Sequence, residues 1–246
     1  MNIIKLDAID STNRFLKDLA KNGKIENFTT VVANHQTQGK GQQNTTWFSS
    51  PNQNLLCTVC VDLQRLDLSM LPVVNFLVAT TIRKVVASFL SLENKIAIKW
   101  PNDIMSYQKK IAGILVENTI KSHKLGTCFI GLGLNVNQQI FPDYLSKASS
   151  MALIEKTTFD RDEILTELIH SLKEVMTVSY ITKYHQEIKE EYLGYLYRLG
   201  IPSVFRDVKG SVFMGMIVDV SRLGKLVVEK EDEKQYEFDV KEITFL

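Results

Sequence analysis

Several residue types are scarce in this sequence, and each shortage excludes a class of protein. The 246 residues include three cysteines, five prolines and four histidines, and the formal net charge is +1. An odd cysteine count without a recognisable signal peptide favours a reducing, cytoplasmic location. No basic surplus requires a nucleic-acid partner. No apolar stretch reads as long enough to span a bilayer, so we expect no membrane association.

The usual nucleophilic and metal-binding arrangements are also missing from the sequence. No Ser-His-Asp or Cys-His pattern is present, and His35 adjoins a polar loop without an identifiable acid partner. Cys57 and Cys60 have the two-residue spacing of a metal or redox pair, but they lie in a strand-like run. Residues three apart in a strand point to opposite faces, so we expect ordinary buried thiols. A hydrolase is therefore not indicated.

The composition that remains is that of a globular protein, with 45% hydrophobic and 23% charged residues. This suits one large domain with a small appendage. Apolar periodicity predicts a capped helix, two strands, a long buried helix and three further strands joined by short polar turns. In chain order these lie at residues 10–23, 29–34, 55–61, 71–92, 96–100, 111–117 and 124–137. Successive strands with short connections favour an α+β fold with a mixed, mostly antiparallel sheet flanked by helices.

The last fifty residues have a different sequence pattern from the rest of the chain. A helix is predicted over 159–180, and helical, charge-rich sequence continues to about residue 198. Only short β-prone runs separated by glycine turns follow. We therefore predict a larger domain over residues 1–197 and a small C-terminal β-barrel over residues 198–246. A barrel of this size would be marginal alone and should pack against the larger domain.

Four stretches contain residues that a purely structural role does not readily explain. They are residues 10–13 (DSTN), 35–50 (HQTQGKGQQNTTWFSS), 99–105 (KWPNDIM), and the strand pair 110–117 (KIAGILVE) with 131–137 (GLGLNVN). Each has an ordinary alternative: a helix cap, a hairpin connection, a strand end, or weakly pairing strands. The 35–50 loop matches neither the P-loop nor the dinucleotide-binding spacing. Glycines within strands can also be kept so that a ligand approaches the backbone closely.

Together the stretches supply amides, hydroxyls, lysines, one carboxylate suited to a metal and two tryptophans. Such groups position a substrate and stabilise charge; they do not form a nucleophile–base pair. This set favours chemistry with a phosphate-bearing transition state, as in nucleotidyl transfer.

Five ordered motifs carry a family resemblance: STN, Q-x-x-G-K-G followed by a tryptophan, KWPND, KIAGILVE and G-x-G-x-N. With these motifs the sequence resembles the biotin protein ligases (biotin–[acetyl-CoA-carboxylase] ligases) over nearly its whole length. The resemblance implies a catalytic domain like that of class II synthetases and an SH3-like C-terminal barrel. It also implies a two-step reaction. Biotin and ATP form biotinyl-5′-AMP and pyrophosphate, and a lysine of a biotin carboxyl-carrier protein domain then takes the biotin.

Residue roles follow from the resemblance, position by position. Lys110 and Lys40 would be the catalytic cations. The biotin-binding residues would be Ser11, Thr12, Asn13, Gln36, Gly39, Lys40, Gly41, Gln42, Lys110, Gly113, Leu115 and Gly131. The ATP side would be formed by Trp47, Lys99, Asn102, Asp103 and Asn135, with Asp103 as a Mg²⁺ ligand.

Two departures from the family pattern change what is expected. The family loop commonly reads G-R-G-R-R-G-R-x-W, whereas residues 39–47 read GKGQQNTTW. Lysine keeps one positive charge but lacks the two parallel N–H donors of arginine. We therefore expect Lys110 and Mg²⁺ to neutralise most of the phosphate charge. The helix-turn-helix of the repressor members is absent, so DNA binding is not expected. A lipoate or octanoate ligase and a non-catalytic biotin-binding module remain as alternatives, and the oligomeric state stays open between monomer and homodimer.

Overall fold

The computed structural model describes residues 2–42, 45–91 and 95–246 of the chain. Its first part contains seven strands and six helices. The strands are β1 (Ile3–Ile9), β2 (Thr30–Gln36), β3 (Leu55–Asp62), β4 (Ile96–Lys99), β5 (Asp103–Ser106), β6 (Lys109–Lys121) and β7 (Lys124–Leu134). The helices are α1 (Thr12–Asn22), α2 (Leu71–Ser88), α3 (Met151–Glu155), α4 (Arg161–Val175), α5 (Val178–Lys183) and α6 (His185–Gly194).

The seven strands form one mixed sheet in the order β1-β2-β3-β7-β6-β5-β4. Only the β1–β2 pair is parallel among the described pairings, and the others are antiparallel. The predicted α+β class with a mostly antiparallel sheet is therefore confirmed. Strand β1 is an edge strand that the sequence analysis did not identify, because its polar alternation gives a weak apolar signal.

The two faces of this sheet have different neighbours. Alternate β7 residues, such as Ile130 and Leu132, join the main core with α2, α4 and α6. The residues between them face the other way, and Phe129 packs with α1 in a second apolar cluster. Cys57 lies in the first cluster and Cys60 in the second, and both thiols are free and buried. The prediction of opposite-facing strand thiols is confirmed.

Helix α2 is the central core helix, as predicted, although it ends at Ser88. Residue 92, where the predicted helix ended, lies outside the described residues. The span Leu68–Ser88 has 21 residues and a mean hydropathy of 1.5, so by length and composition it could cross a membrane. The expectation that no stretch reaches that length was therefore wrong. Inside the fold 67% of the apolar segment is buried, and packing explains its hydrophobicity.

Two other expectations are corrected, and one element is new. The polar turn predicted after residue 100 contains strand β5, which pairs with both β4 and β6. The helix predicted over 159–180 is interrupted at Met176, whose φ of −80° and ψ of 60° end α4 before Thr177 caps α5. The short helix α3 was not predicted, because five residues are too few for a periodic pattern.

The C-terminal region forms a second, five-stranded antiparallel sheet. Its strands are β8 (Pro202–Asp207), β9 (Val212–Val220), β10 (Leu226–Lys230), β11 (Gln235–Phe238) and β12 (Ile243–Phe245), in the order β11-β10-β9-β8-β12. This sheet packs on the first part, as expected for so small a unit. Trp100 Nε1 donates to the Gly224 carbonyl at 2.9 Å, and Lys189 pairs with Asp219 at 2.9 Å. The boundary at residue 197 and the SH3-like description stay predictions.

Candidate active site

A cavity of about 240 Å³ lies on the face of the larger sheet that α1 only partly covers. It is closed by the start of α1, by the loop between β2 and β3, and by Val240 and Lys241 of the C-terminal region. All but three of the predicted site residues line it. Those lining it are Ser11, Thr12, Asn13, Gln36, Lys40, Gly41, Gln42, Trp47, Asn102, Asp103, Lys110, Gly113, Leu115 and Gly131.

The register of the sheet explains the shape of the cavity floor. Thr58, Gly131 and Leu115 form one row across β3, β7 and β6. Two residues along, Gly133 lies beside Gly113 in the next row. Because alternate strand residues share a face, all these positions face the cavity together. The glycines leave shallow depressions in a surface that side chains would otherwise fill.

A network of polar side chains occupies the first row. Thr12 donates its backbone N–H to Gln36 Oε1 at 2.8 Å. The Thr58 hydroxyl lies 2.8 Å from Thr12 Oγ1 and 2.5 Å from Asn13 Oδ1. Asn13 lies directly over Gly131, where an added Cβ would be 2.4 Å from Asn13 Oδ1. This end of the cavity is therefore polar, uncharged and already organised by hydrogen bonds.

The network continues to an ion pair at the edge of the cavity. Asn13 Nδ2 donates to Glu117 Oε2 at 3.0 Å, and Lys17 Nζ lies 2.8 Å from Glu117 Oε1. Partial burial favours a higher pKa for Glu117, but hydrogen bonds from Lys17 and Asn13 outweigh it and lower the pKa. The carboxylate is therefore ionised at neutral pH.

Trp47 occupies the second row. Added Cβ atoms at Gly113 and Gly133 would lie 2.8 Å and 2.5 Å from its ring. The Lys110 ammonium lies 5.4 Å from the ring centroid, within cation–π range. Trp47 Nε1 is buried and has no hydrogen-bond partner among the described residues. The strand glycines therefore accommodate side chains of the protein itself in this structure, and the close approach of a ligand to them stays a prediction.

The loop that carries Trp47 is held as a small hairpin. Lys40 and Thr46 form an antiparallel bridge, and the Trp47 N–H donates to the Gly39 carbonyl at 2.9 Å. Gly39 is needed here, because a Cβ would approach the Trp47 carbonyl oxygen to 2.7 Å. Gln43 and Asn44, two of the positions at which the family loop carries other residues, lie outside the described residues.

Charged groups gather at the same end of the cavity as Trp47. Lys110 Nζ pairs with Asp103 Oδ1 at 2.6 Å, and β5 and β6 hold the two residues on neighbouring strands. Lys99 is paired with Asp103 in the β4–β5 register. Burial lowers the pKa of Lys99, although the Asp103 carboxylate counteracts this. The Asp103 carboxylate is therefore paired with one lysine and close enough to a second to affect its pKa, and this positively charged end is suited to an anion.

Asp103 is also the predicted Mg²⁺ ligand. Among the described residues, no group of three or more His, Cys, Asp or Glu side chains could hold a metal ion. Mg²⁺ commonly uses one or two carboxylates and takes its other ligands from substrate phosphates and water. A single carboxylate beside an anion-binding end fits an ion that arrives with a nucleotide, and does not fit an ion held by the protein alone.

Three predicted residues do not line the cavity. Gly39 supports the hairpin, and Lys99 Nζ lies 4.9 Å from the Phe245 ring centroid. Asn135 is buried at the end of β7, where Nδ2 donates to the Ser149 carbonyl at 2.9 Å. These contacts indicate supporting positions for Lys99 and Asn135. Other residues at the site were not proposed from the sequence: Gly133, Val240 and Lys241 line the cavity, and the buried Thr58 holds Thr12 and Asn13 from below.

Some of these could have been found from the sequence. Thr58 is a polar residue in the apolar run LLCTVCV, which signals a special role on a buried face. Val240 and Lys241 had no such signal, because they lie about 100 residues further along the chain than the other lining residues, and packing of the second sheet brings them to the cavity.

Comparison with known sequences agrees with the architecture and the motifs. The model of the Biotin/lipoate A/B protein ligase family matches residues 6–135. The chain is 28% identical to the Bifunctional ligase/repressor BirA of Bacillus spizizenii over 97% of its length and 73% of that protein. It is 31% identical to the Bifunctional ligase/repressor BirA of Salmonella typhimurium over 70% of its length, and spans about half (52%) of that relative.

Solved structures show the same fold. The Biotin protein ligase from Aquifex aeolicus in complex with biotin and ATP superimposes with a TM-score of 0.76 at 23% identity, covering 100% of this chain and 98% of that one. The Biotin protein ligase from Leishmania major in complex with Biotinyl-5-AMP superimposes with a TM-score of 0.65 at 22% identity, covering 97% and 99%. At these identities the likeness establishes the fold alone.

Proposed function

Because the chain belongs to the Biotin/lipoate A/B protein ligase family, we propose that it is a biotin–[acetyl-CoA-carboxylase] ligase. It activates biotin with ATP to biotinyl-5′-AMP and transfers biotin to a lysine of a biotin carboxyl-carrier protein domain. The cavity with two chemically different ends carries the proposal. One end presents an uncharged hydrogen-bonding network, and the other presents lysines, one carboxylate and an indole ring.

The uncharged end suits the ureido ring of biotin. That ring is neutral and carries both donors and acceptors, so it needs matched hydrogen bonds, and burying it unpaired would be costly. Ser11, Thr12 and Gln36 line the cavity beside the Asn13–Thr58 pair and supply hydroxyl and amide groups. The apolar valeryl chain then lies along the floor near Leu115, toward Lys110.

Lys110 is the residue we assign to the first chemical step. The biotin carboxylate must approach the α-phosphate of ATP, and two anions repel each other. An ammonium between them offsets that repulsion and stabilises the additional charge of the transition state. Lys110 Nζ is held by Asp103 on the neighbouring strand, so it is positioned before substrate arrives. Lys40, on the hairpin over the cavity, adds a second cation.

The hairpin is proposed as the cover that keeps water from the acyl-adenylate. A mixed anhydride hydrolyses readily, so it must be shielded until the acceptor lysine arrives. Trp47 then shifts from its seat on the sheet and packs beside the adenine. Bound Mg²⁺, held by the nucleotide phosphates and Asp103, would neutralise phosphate charge.

A lipoate or octanoate ligase on the same fold is the nearest alternative. It would need an apolar tunnel, whereas the Thr12–Thr58–Asn13 network would be buried against an alkyl chain without partners. A non-catalytic biotin-binding module is a further alternative, and the positioned Lys110–Asp103 pair argues against it.

Biotin-dependent exchange of pyrophosphate into ATP tests the proposal directly. We expect exchange with biotin and none with octanoate or lipoate, and we expect labelling of a carrier domain with release of AMP. Exchange with octanoate alone would establish the lipoate-type activity. Calorimetric binding of biotin without any exchange would establish the non-catalytic module.

A further inference from the structure

We infer that Glu117 is a positioning residue that fixes the orientation of the Asn13 amide, and through it the donor and acceptor pattern that the cavity presents to its ligand. The inference rests on the proposed function for the identity of that ligand, a cyclic urea. Glu117 lies at the end of the KIAGILVE motif and does not line the cavity itself. Its effect is therefore exerted through Asn13.

The contacts of Asn13 leave one orientation for its amide. Nδ2 lies 3.0 Å from Glu117 Oε2 and 3.5 Å from the Leu115 carbonyl oxygen. Both neighbours accept hydrogen bonds and neither can donate one. A flipped amide would place Oδ1 against a carboxylate and a carbonyl. The orientation follows from the chemistry of the neighbours, as amide assignments in proteins generally do.

The orientation of Asn13 then sets the direction of the next hydrogen bonds. Oδ1 only accepts, so the single Thr58 hydroxyl proton points to it across 2.5 Å. The hydroxyl of Thr12 lies 2.8 Å from Thr58 Oγ1 and donates its own proton to Gln36 Oε1 at 3.1 Å. A chain of hydrogen bonds from Thr58 to Asn13 to Glu117 therefore runs in one direction only.

The direction of this chain decides what remains for a ligand. Gln36 Oε1 is held by the Thr12 backbone N–H at 2.8 Å, which leaves the Gln36 Nε2 group as a donor. The Thr12 hydroxyl donates its proton to Gln36 Oε1 at 3.1 Å and keeps a lone pair as an acceptor. A cyclic urea, with one carbonyl and N–H groups, matches a site with both a fixed donor and a fixed acceptor. With a flipped Asn13 amide, Nδ2 would donate to Thr58 Oγ1, and the freed Thr58 proton would point to Thr12 Oγ1 and occupy the lone pair that a urea N–H needs.

The room for this arrangement is built into the sheet. Asn13 fits over β7 only because residue 131 is glycine, and its amide lies between Thr58 on β3 and Glu117 on β6. The Lys17–Glu117 pair is about one-third exposed, and exposed ion pairs contribute little to stability. A purely structural role for Glu117 would therefore leave ligand affinity unchanged, which separates the two roles by experiment.

A reciprocal exchange of groups tests the inference. Glu117→Gln keeps the shape but allows the Asn13 amide to flip, and Asn13→Asp places two carboxylates together. In the double variant, the glutamine amide donates to the new carboxylate, which still accepts from Thr58, so the direction of the chain is restored. Asp18→Asn is the matched control, because it removes one ion-paired carboxylate on α1 outside the cavity.

Calorimetric biotin affinity and the kinetics of pyrophosphate exchange are the measurements. We expect about a ten-fold loss of affinity in Glu117→Gln, carried by KM for biotin with kcat within about two-fold. Asn13→Asp should lose more biotin affinity than Glu117→Gln, and the double variant should bind biotin more tightly than either single variant. Wild-type affinity in Glu117→Gln, or a double variant no better than the weaker single variant, would overturn the inference.

A ligand-free measurement keeps this test separate from that of the proposed function. In the unliganded protein, the side-chain amide of Asn13 should give protected proton resonances in nuclear magnetic resonance spectra. Glu117→Gln should remove that protection, and Asp18→Asn should retain it. Equal protection in all three proteins would overturn the inference even if the wild type failed to bind biotin. Failure of the wild type to bind biotin or to exchange pyrophosphate would overturn the proposed function alone.

Discussion

Asn13 and Trp47 both lie over glycines on the same face of the larger sheet, but their polar atoms are satisfied to different degrees. Asn13 over Gly131 has partners for both its oxygen and its nitrogen. Trp47 over Gly133 has a buried Nε1 without a partner among the described residues. An unpaired buried donor costs roughly 1–3 kcal/mol, so the packing of the indole ring must outweigh that cost.

This difference indicates separate roles for the two ends of the cavity. The Asn13 end is already organised and can receive a ligand without rearrangement, which saves the ordering cost of binding. The Trp47 end is occupied by a side chain whose unpaired Nε1 offsets part of the packing that holds it there. We expect selectivity to reside at the first end and closure over the adenylate at the second.

Removal of the Lys110 ammonium should have the largest effect, because it is the cation that we assign to the first chemical step. Lys110→Ala is expected to lower the rate of pyrophosphate exchange on the order of 10³-fold with an unchanged circular dichroism spectrum. Lys109→Ala is the matched control, since Lys109 contacts the Ser146 carbonyl outside the cavity. Exchange within about ten-fold of wild type in Lys110→Ala would remove Lys110 from its role.

Filling the depression under Asn13 should have the next largest effect. In Gly131→Ala the new methyl group would meet Asn13 Oδ1 at 2.4 Å. We expect KM for biotin to rise on the order of 10- to 100-fold, since overpacking displaces the amide. Gly126→Ala on the same strand would crowd Thr119 equally closely but away from the cavity. Equal loss of biotin affinity in both variants would indicate general damage to β7.

Filling the depression under Trp47 should affect the nucleotide more than biotin. In Gly133→Ala the new methyl group would lie 2.5 Å from the indole, so Trp47 should leave its seat. We expect a red-shifted tryptophan emission and about a ten-fold change in KM for ATP, with biotin affinity within about two-fold. Trp47→Phe identifies the signal, because Trp100 is the other tryptophan. A loss confined to biotin affinity would contradict the division between the two ends.

The smallest expected effect concerns pH and Glu117. Its pKa is lowered in the folded state, so its contribution to stability is complete above the ordinary value of 4.5 and is lost as pH falls through the folded pKa. Because the group is partly exposed, we expect about 0.5 kcal/mol. Urea unfolding of wild type and Glu117→Gln should differ by a constant amount from neutral pH to 4.5 and converge below it. A gap that widened in acid would contradict the direction of the shift.

Much of the fold was accessible from the sequence, because strong periodic patterns mark buried elements. The apolar runs of α2 and β3 are buried along nearly their whole length, and β6 and β7 contain buried apolar runs bounded by polar turns. Strand β1 and strand β5 were missed because their signals are weak or short. The stretches that contain the candidate site residues stand out because polar groups and glycines interrupt apolar strands, and the individual roles are implied by the family resemblance.

The partners of those residues were less accessible. Asp103 was expected to serve a metal, and the structure pairs it with Lys110 across neighbouring strands. The strand glycines were expected to admit a ligand, and Asn13 and Trp47 occupy those places. Both differences depend on which side chains meet across the sheet, and local sequence patterns do not contain that information.

By itself the sequence determined which groups are available: an uncharged set near the start of α1, lysines and a carboxylate on short strands, and glycines spaced two apart on β7. Those follow from local periodicity, which alternates side chains between two faces of a strand. Tertiary structure decided which of these groups meet. Strand register placed Thr58, Gly131 and Leu115 in one row. The packing of whole elements then placed Asn13 and Trp47 over the glycines of the sheet, because contacts between residues distant in sequence depend on that packing.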